Sequence, residues 1–248
     1  WGTSGTADAP TTFWGPRGIV VNKNGNVLIT DTGNNRVVVF DKNGNYLNQF
    51  GLNGINAGEF DEPVGLAVDK NGNLFVVDTW NQRIQVFLPL ADGVNYQPLR
   101  EWSVSAWTGQ SINNKPFVDV DSSGNVFVTD PDAYRVLEFD STGEFIRGWG
   151  DYSSGLDGFG MPVGIAVDGE DRVWISDSEN NYLLRFTLPQ TQSSLPEGLP
   201  ALPASSIQIT YNLASGFVEN PLQEPVYRLD SDAVQWIPVV PENISSIV

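Results

Sequence analysis

The sequence predicts an all-β fold, a β-propeller of four-stranded antiparallel blades, and three observations carry that prediction. One motif is written four times, with copies opening at Pro16, Pro63, Pro116 and Pro162, so that successive starts lie 47, 53 and 46 residues apart. A period of about 40–50 residues built from short strands is the mark of a propeller blade. Within each copy apolar residues recur at period two, as strands require. Between the apolar runs stand Asn-Gly and Asp-rich turns, which supply the positive φ of tight hairpins. One such unit cannot bury its own apolar face, so the copies must stack on one another.

The second copy justifies the elements in order. Val64, Leu66 and Val68 alternate with Gly65, Ala67 and Asp69, which fits an innermost strand where small residues let backbones approach. Asp69-Lys70-Asn71-Gly72-Asn73 is the first turn. Leu74–Val77 is apolar throughout, as expected of a strand covered on both faces. Asp78-Thr79-Trp80-Asn81-Gln82 forms the second turn and Arg83–Phe87 the third strand. In the first and third copies another turn follows (Lys42-Asn43-Gly44-Asn45; Ser141-Thr142-Gly143-Glu144), then an outer strand ending at Phe50-Gly51 or Trp149-Gly150. Four antiparallel strands per copy make a blade.

The shared pattern runs Pro-x-Gly, then an apolar strand, Gly-Asn, a second strand, Asp-Thr or Asp-Ser, and Asn-x-Arg before a third strand ending in Phe. It resembles the NHL repeat, and the resemblance spans about residues 14 to 189. Four blades are legible, at about 16–51, 63–103, 116–150 and 162–189, within a propeller of residues 1–189. The departures are specific. The third copy has Lys115-Pro116-Phe117-Val118-Asp119 in place of Pro-x-Gly, and Asp130-Pro131-Asp132-Ala133-Tyr134 at its second turn. Tyr182 stands where Arg36, Arg83 and Arg135 stand elsewhere, and the second copy carries an insertion from Leu88 to Leu99. Function is to be sought where a shared structural rule is relaxed.

Residues 190–206 are rich in Pro, Ser and Gln and read as a linker. Residues 207–248 hold three β-rich runs without the motif: a degenerate fifth blade, the completion of the fourth, or a docking arm. The resemblance implies a closed ring, usually of six blades. The tail, sequence outside this chain or another subunit could complete it to five or six. Trp1-Gly2 matches Trp149-Gly150, and we expect upstream sequence before it.

Composition narrows the function classes. The formal charge is −17 and the sequence pI about 4.1, the reverse of a nucleic-acid binder. No apolar run reaches the ~18 residues of a membrane span, so this segment is not expected to insert into a membrane. There is no cysteine and no histidine, which removes disulfides, thiolate chemistry and the commonest general base and zinc ligand. Aligned carboxylates at Asp31, Asp78, Asp130 and Asp177 suit turn capping better than chemistry, because every blade needs one. Asp69 and Asp121 open turns that lack the twelfth-position Glu of a calcium loop. No cofactor and no metal site is expected.

Recurring Phe13, Phe60 and Phe159 read as plugs between blades. The aromatics that do not recur are the candidates for binding: Trp80, Tyr134 and Tyr182 on the second turns, Trp107 and Tyr152 in the connections. Both loop classes share one end of a propeller, together with Asn34, Asp132 and Asn180. Aromatic faces beside amides and carboxylates suit a glycan or a polar polypeptide. Enzymes occur on this fold, but NHL-type amidating lyases depend on a metal held by histidine and bacterial streptogramin lyases on a catalytic histidine, and this sequence has none. A lactonase-like calcium site would have to draw on Asp119, Asn34 or Asn180, and Lys115 could instead pair with Asp119. The expectation is therefore a non-catalytic binding or assembly module that recognises a protein or glycan. Two alternatives stand: a subunit of a surface layer or filament, and a calcium-dependent lactonase-like hydrolase. Trp107-Thr108-Gly109-Gln110 before Lys115-Pro116 looks similar to propellers of bacterial glycosyltransferase-like membrane proteins, which implies an extracytoplasmic, cell-surface setting.

Overall fold

The computed structural model describes residues 1–6, 9–107, 114–188 and 237–238. Four antiparallel sheets of four strands follow one another around a common axis. The first blade comprises β3 (Pro16–Val21), β4 (Val27–Asp31), β5 (Arg36–Phe40) and β6 (Tyr46–Phe50), after a short parallel pair of β1 (Thr3–Ser4) and β2 (Thr12–Phe13). The second holds β7 (Pro63–Val68), β8 (Leu74–Asp78), β9 (Arg83–Pro89) and β10 (Tyr96–Ser103); the third β11 (Val118–Val120), β12 (Val126–Asp130), β13 (Arg135–Phe139) and β14 (Phe145–Trp149). In the fourth, β15 (Pro162–Val167), β16 (Arg172–Asp177) and β17 (Tyr182–Thr187) are joined by β18 (Ile237–Pro238), which pairs with Leu184 and Arg185. Of the roles open to the tail, this pairing is completion of the fourth blade. The rest of residues 190–248 lies outside the described residues.

Blades pack face against face. Leu28, Val37 and Val39 of the first meet Leu66, Leu74 and Val76 of the second. Phe75, Val77 and Ile84 of the second meet Val126, Val128 and Leu137 of the third. Phe127 and Val136 of the third meet Val173, Ile175 and Leu184 of the fourth. Between blades the connection repeats: Gly2, Gly51 and Gly150 all have positive φ, and a Cβ on any of them would lie 2.5 Å from the ring of Phe13, Phe60 or Phe159. The recurring Phe residues are thus buried plugs seated on a glycine.

Two departures from the repeat are visible in the structure. The third blade's inner strand starts at Val118, after Pro116, whereas the inner strands of the other blades start on the proline itself. The Leu88–Leu99 insertion lengthens β9 and β10 into a hairpin whose tip leans on the first blade's turn. There Asn22 Nδ2 donates to Gly93 O at 3.0 Å and to Tyr96 Oη at 3.1 Å. This brace lies at the end opposite the second turns, so the insertion is not part of the aromatic end.

Candidate functional site

The second turns are built on a buried Asp. In the first blade the Asp31 carboxylate accepts from Trp14 N, Asn34 Nδ2 and Arg36 Nε at 2.7–2.9 Å. In the second, Asp78 accepts from Asp61 N, Asn81 Nδ2, Arg83 Nε and Gln85 Nε2. In the fourth, Asp177 accepts from Gly160 N, Met161 N and Asn180 Nδ2. Each carboxylate ties the turn to the connection that enters its own blade, which is the structural role expected of these residues. The third blade has Ala133 in place of the Asn. Its Asp130 keeps Arg135 Nε at 2.8 Å, and burial pushes its carboxyl up to about 6 against the pull of Arg135.

A folded pKa above the unfolded value of about 3.9 means that protonation of Asp130 favours the folded chain. That contribution is full below about pH 4 and is lost as pH rises through about 6. Asp130→Asn is therefore expected to flatten the fall in melting temperature across this window, and Ala133→Asn, which restores the missing amide, to shift the Asp130 titration downward. Thermal melts at half-unit pH steps check the first, and carboxyl NMR titration the second. Equal slopes in wild type and Asp130→Asn would sink the assignment.

The predicted binding residues separate into two groups. Trp107 must be withdrawn: it is fully buried in the core between the second and third blades. Asn34 and Asn180 are also corrected as contacts, because their amides are spent inside the molecule. Besides their aspartates they donate to Gly5 O and Ser153 O respectively. The others line one end of the ring. Trp80 and Tyr182 are partly exposed, and Tyr152 is 63% exposed. Tyr134, held at φ 57°, meets Tyr152 edge-on at 5.0 Å. Asp132 accepts from Asn114 Nδ2 at 2.8 Å.

Lys115 joins these residues. Its ammonium lies 2.7 Å from Glu62 Oε2 and 4.5 Å from the centre of the Trp80 ring, a cation held between a carboxylate and an aromatic face. The expected Lys115–Asp119 pair is not formed. Asp119 instead accepts from Val120 N and, across the blade boundary, from Val167 N at 2.7 Å. Burial raises its carboxyl while those two bonds hold it down. Among the described residues no group of three or more His, Cys, Asp or Glu side chains is placed to hold a metal ion.

Beside Glu62 opens a cleft of about 280 Å³ lined by Trp14, Arg17, Thr32, Asn35, Asp61 and Glu62. Sequence reasoning missed Trp14, Arg17 and Glu62. Glu62 sits at φ 51°, where the first blade has Gly15 at φ 62°. A non-glycine residue in that region is held there by its surroundings, here a hydrogen bond from its N–H to Asn35 Oδ1. Burial tends to raise the Glu62 carboxyl. Hydrogen bonds from Lys115 and Trp80, with the charges of Lys115 and Arg17, bring it below its ordinary value. Asp61 moves the other way, raised by burial and by the charges of Asp78 and Glu62. The cleft thus pairs a carboxylate that stays ionised with a neighbour that takes a proton more readily.

Four antiparallel four-stranded blades with a loop-lined mouth define a β-propeller. The family described as NHL repeat matches residues 13–40, 60–87 and 159–186, leaving out the third copy, whose departures include Lys115 and Ala133. The chain is an NHL-repeat β-propeller. No curated protein matches it. Among solved structures, a streptogramin B lyase is similar with 19% identity and a TM-score of 0.50, over 68% of this chain and 50% of that one. A catalytically inactive His-to-Ala virginiamycin B lyase from Staphylococcus aureus, with quinupristin, is similar with 17% identity and a TM-score of 0.51, over 73% and 53%. A protein from Lactobacillus plantarum has 14% identity and a TM-score of 0.55, over 73% and 53%. This chain spans about half the length of each. The expectation that the chain is not an enzyme is corrected by these structures: similar propellers include lyases, so the repeat fold does not separate binder from catalyst. At such identities the likeness carries the fold and no particular activity.

Proposed function

We propose that the chain binds a polar polypeptide segment across the loop end of its propeller, from the Trp14–Arg17 cleft past Glu62, Lys115 and Trp80 to the Tyr134–Tyr152 pair. The observation that carries this reading is the Glu62–Lys115–Trp80 cluster. Lys115 departs from the repeat, which places proline at that position in its siblings, and its side chain is 8% exposed. It braces a carboxylate and an indole that are both partly exposed at the rim of the cleft. Trp14 is 61% exposed. Trp, Tyr and Arg around a polar centre are the side chains that dominate protein interfaces. Asp61 and Glu62 would receive a basic side chain or backbone amides, and Arg17 a carboxylate or carbonyl.

Trp14→Ala and Trp80→Ala, tested singly and together, are expected to weaken peptide binding by about tenfold or more each, the range of an interface anchor. Both rings are surface groups, so the melting temperature should move by no more than a few degrees. Binding is read on a peptide array with a glycan array alongside. Retention of glycans with no peptide signal would replace this reading, and a collapse of stability in either variant would show the ring to be core.

A further inference from the structure

One blade boundary holds a cation of the chain's own, and the boundary before it has the same kinds of wall without the cation. Between the second and third blades the Lys115 ammonium sits against the Glu62 carboxylate and the Trp80 ring. Trp80 comes from the second turn of the second blade, and Glu62 from the residue before that blade's opening proline. Lys115 stands where the sibling copies have their proline. Carried back one blade, these three positions are Gly33, Gly15 and Pro63. None of them bears a charge, and a Cβ on Gly15 would meet nothing within 4 Å. The boundary they leave open is the cleft of about 280 Å³ beside Glu62.

Other residues supply its walls. The aromatic face is Trp14. A Cβ on Gly33 would lie 2.8 Å from the Trp14 ring, so the indole lies over a position where the sibling turns carry Trp80, Asp132 and Glu179. The Trp14 backbone is tied on both sides: its N–H donates to Asp31 Oδ1 at 2.7 Å, and its carbonyl accepts from Gly33 N at 2.8 Å. The ring is therefore a fixed platform, and it remains largely exposed.

The carboxylate is Asp61. Its N–H donates to Asp78 Oδ1 and its carbonyl accepts from Trp80 N. Its carboxylate is partly buried and accepts no hydrogen bond among the described residues. Burial and the charges of Asp78 and Glu62 raise this carboxyl against the pull of Lys115, so the surrounding charge favours an added cation. Arg17, exposed at the edge of the cleft, would take a carbonyl or carboxylate of the same ligand.

We propose that this cleft is a subsite for a lysine side chain of the bound polypeptide, its ammonium held by Asp61 against the face of Trp14. The inference rests on reading the loop end as a polypeptide site, and it names the residue that anchors there. Lysine is chosen because the resident cation one blade on is an ammonium between a carboxylate and an indole, an arrangement that cation–π attraction and a charged hydrogen bond both favour. The formal charge of −17 draws a basic segment toward the chain.

Nα-acetyl-lysine amide, titrated into the full chain and followed by NMR of the tryptophan indole N–H signals, tests the subsite directly. The Trp14 signal, identified by its loss in Trp14→Phe, is expected to shift saturably. The norleucine and Nε-acetyl-lysine derivatives, which keep the stem and lack the charge, should leave it in place. Asp61→Asn should weaken the lysine response by about tenfold, the scale of a hydrogen bond to a charged group, with an unchanged melting temperature. An unmoved Trp14 signal, an equal response to the uncharged derivatives, or tighter binding of the arginine derivative overturns the lysine subsite. A peptide array carrying each lysine in free and acetylated form separates this inference from the reading beneath it. Peptides that bind equally in both forms overturn the subsite and leave the polypeptide site standing. A saturable, Asp61-dependent lysine response with no peptide bound upholds the ammonium site and removes the polypeptide reading.

Discussion

Replacing Arg83 with alanine is expected to destabilise the propeller by about 3–5 kcal/mol, the cost of leaving one member of a buried ion pair without its partner. Arg83 Nε donates to Asp78 Oδ2 at 2.7 Å, one terminal nitrogen reaches Ile55 O and Glu101, and the other reaches Asn56 O and Glu59 O. A single guanidinium therefore holds the second turn, the outer strand and the entering connection together. Its loss leaves the fully buried Asp78 carboxylate without its counter-charge and takes one donor from each of the Ile55, Asn56 and Glu59 carbonyls. Arg83→Lys keeps the charge but not the planar fork, and it should fall between wild type and alanine. Arg36, which bonds Asp31, Gln49, Ala9 O and Thr12 O, should behave similarly. Urea denaturation monitored by tryptophan fluorescence measures all three. A loss below about 1 kcal/mol for Arg83→Ala, the scale of a surface pair, would mean that water replaces the arginine.

The fold was legible because propeller physics repeats. Turn glycines, plug phenylalanines and Asp–Arg pairs each occur in several blades, and repetition separates a structural rule from an accident. The placement of the candidate residues was half legible. Tyr134, Tyr152, Tyr182 and Trp80 were singled out because they break the repeat on loops that topology sends to one end. Trp107 breaks it too, but the connection it belongs to folds into the gap between two blades, and a sequence cannot tell an odd aromatic that fills a gap from one that faces solvent. Asn34 and Asn180 misled for the opposite reason: they obey the repeat, and their amides are consumed by it. Glu62 and Lys115 lie 53 residues apart and meet only because adjacent inner strands bring their leading ends together. What could have pointed to Lys115 was its replacement of a proline that the other three copies retain.

Phe60→Ala is the second large effect, expected at about 3–5 kcal/mol for truncating a fully buried aromatic. Phe60 has no exposed surface and packs against Phe50 and Phe87 at ring separations of 6.4 and 5.7 Å. It closes the seam between the first two blades at their outer part, and no neighbour can collapse into its place, because Gly51 beneath it is backbone. The repeat supplies its own control. Phe159 is equally buried between the third and fourth blades and should cost about as much. Phe13 on the first blade is 7% exposed where Phe60 and Phe159 are fully buried, so Phe13→Ala should cost less. Gly51→Ala tests the same seam from below. Its Cβ would lie 2.5 Å from the Phe60 ring at φ 95°, so steric overlap and backbone strain add. Combining it with Phe60→Ala removes the overlap but leaves the strained φ, which β-carbon-bearing residues adopt at a cost. The double variant should therefore be less stable than Phe60→Ala alone, yet more stable than the sum of the two single losses. Strict additivity in that double-mutant cycle would show that the glycine and the ring do not act as one joint.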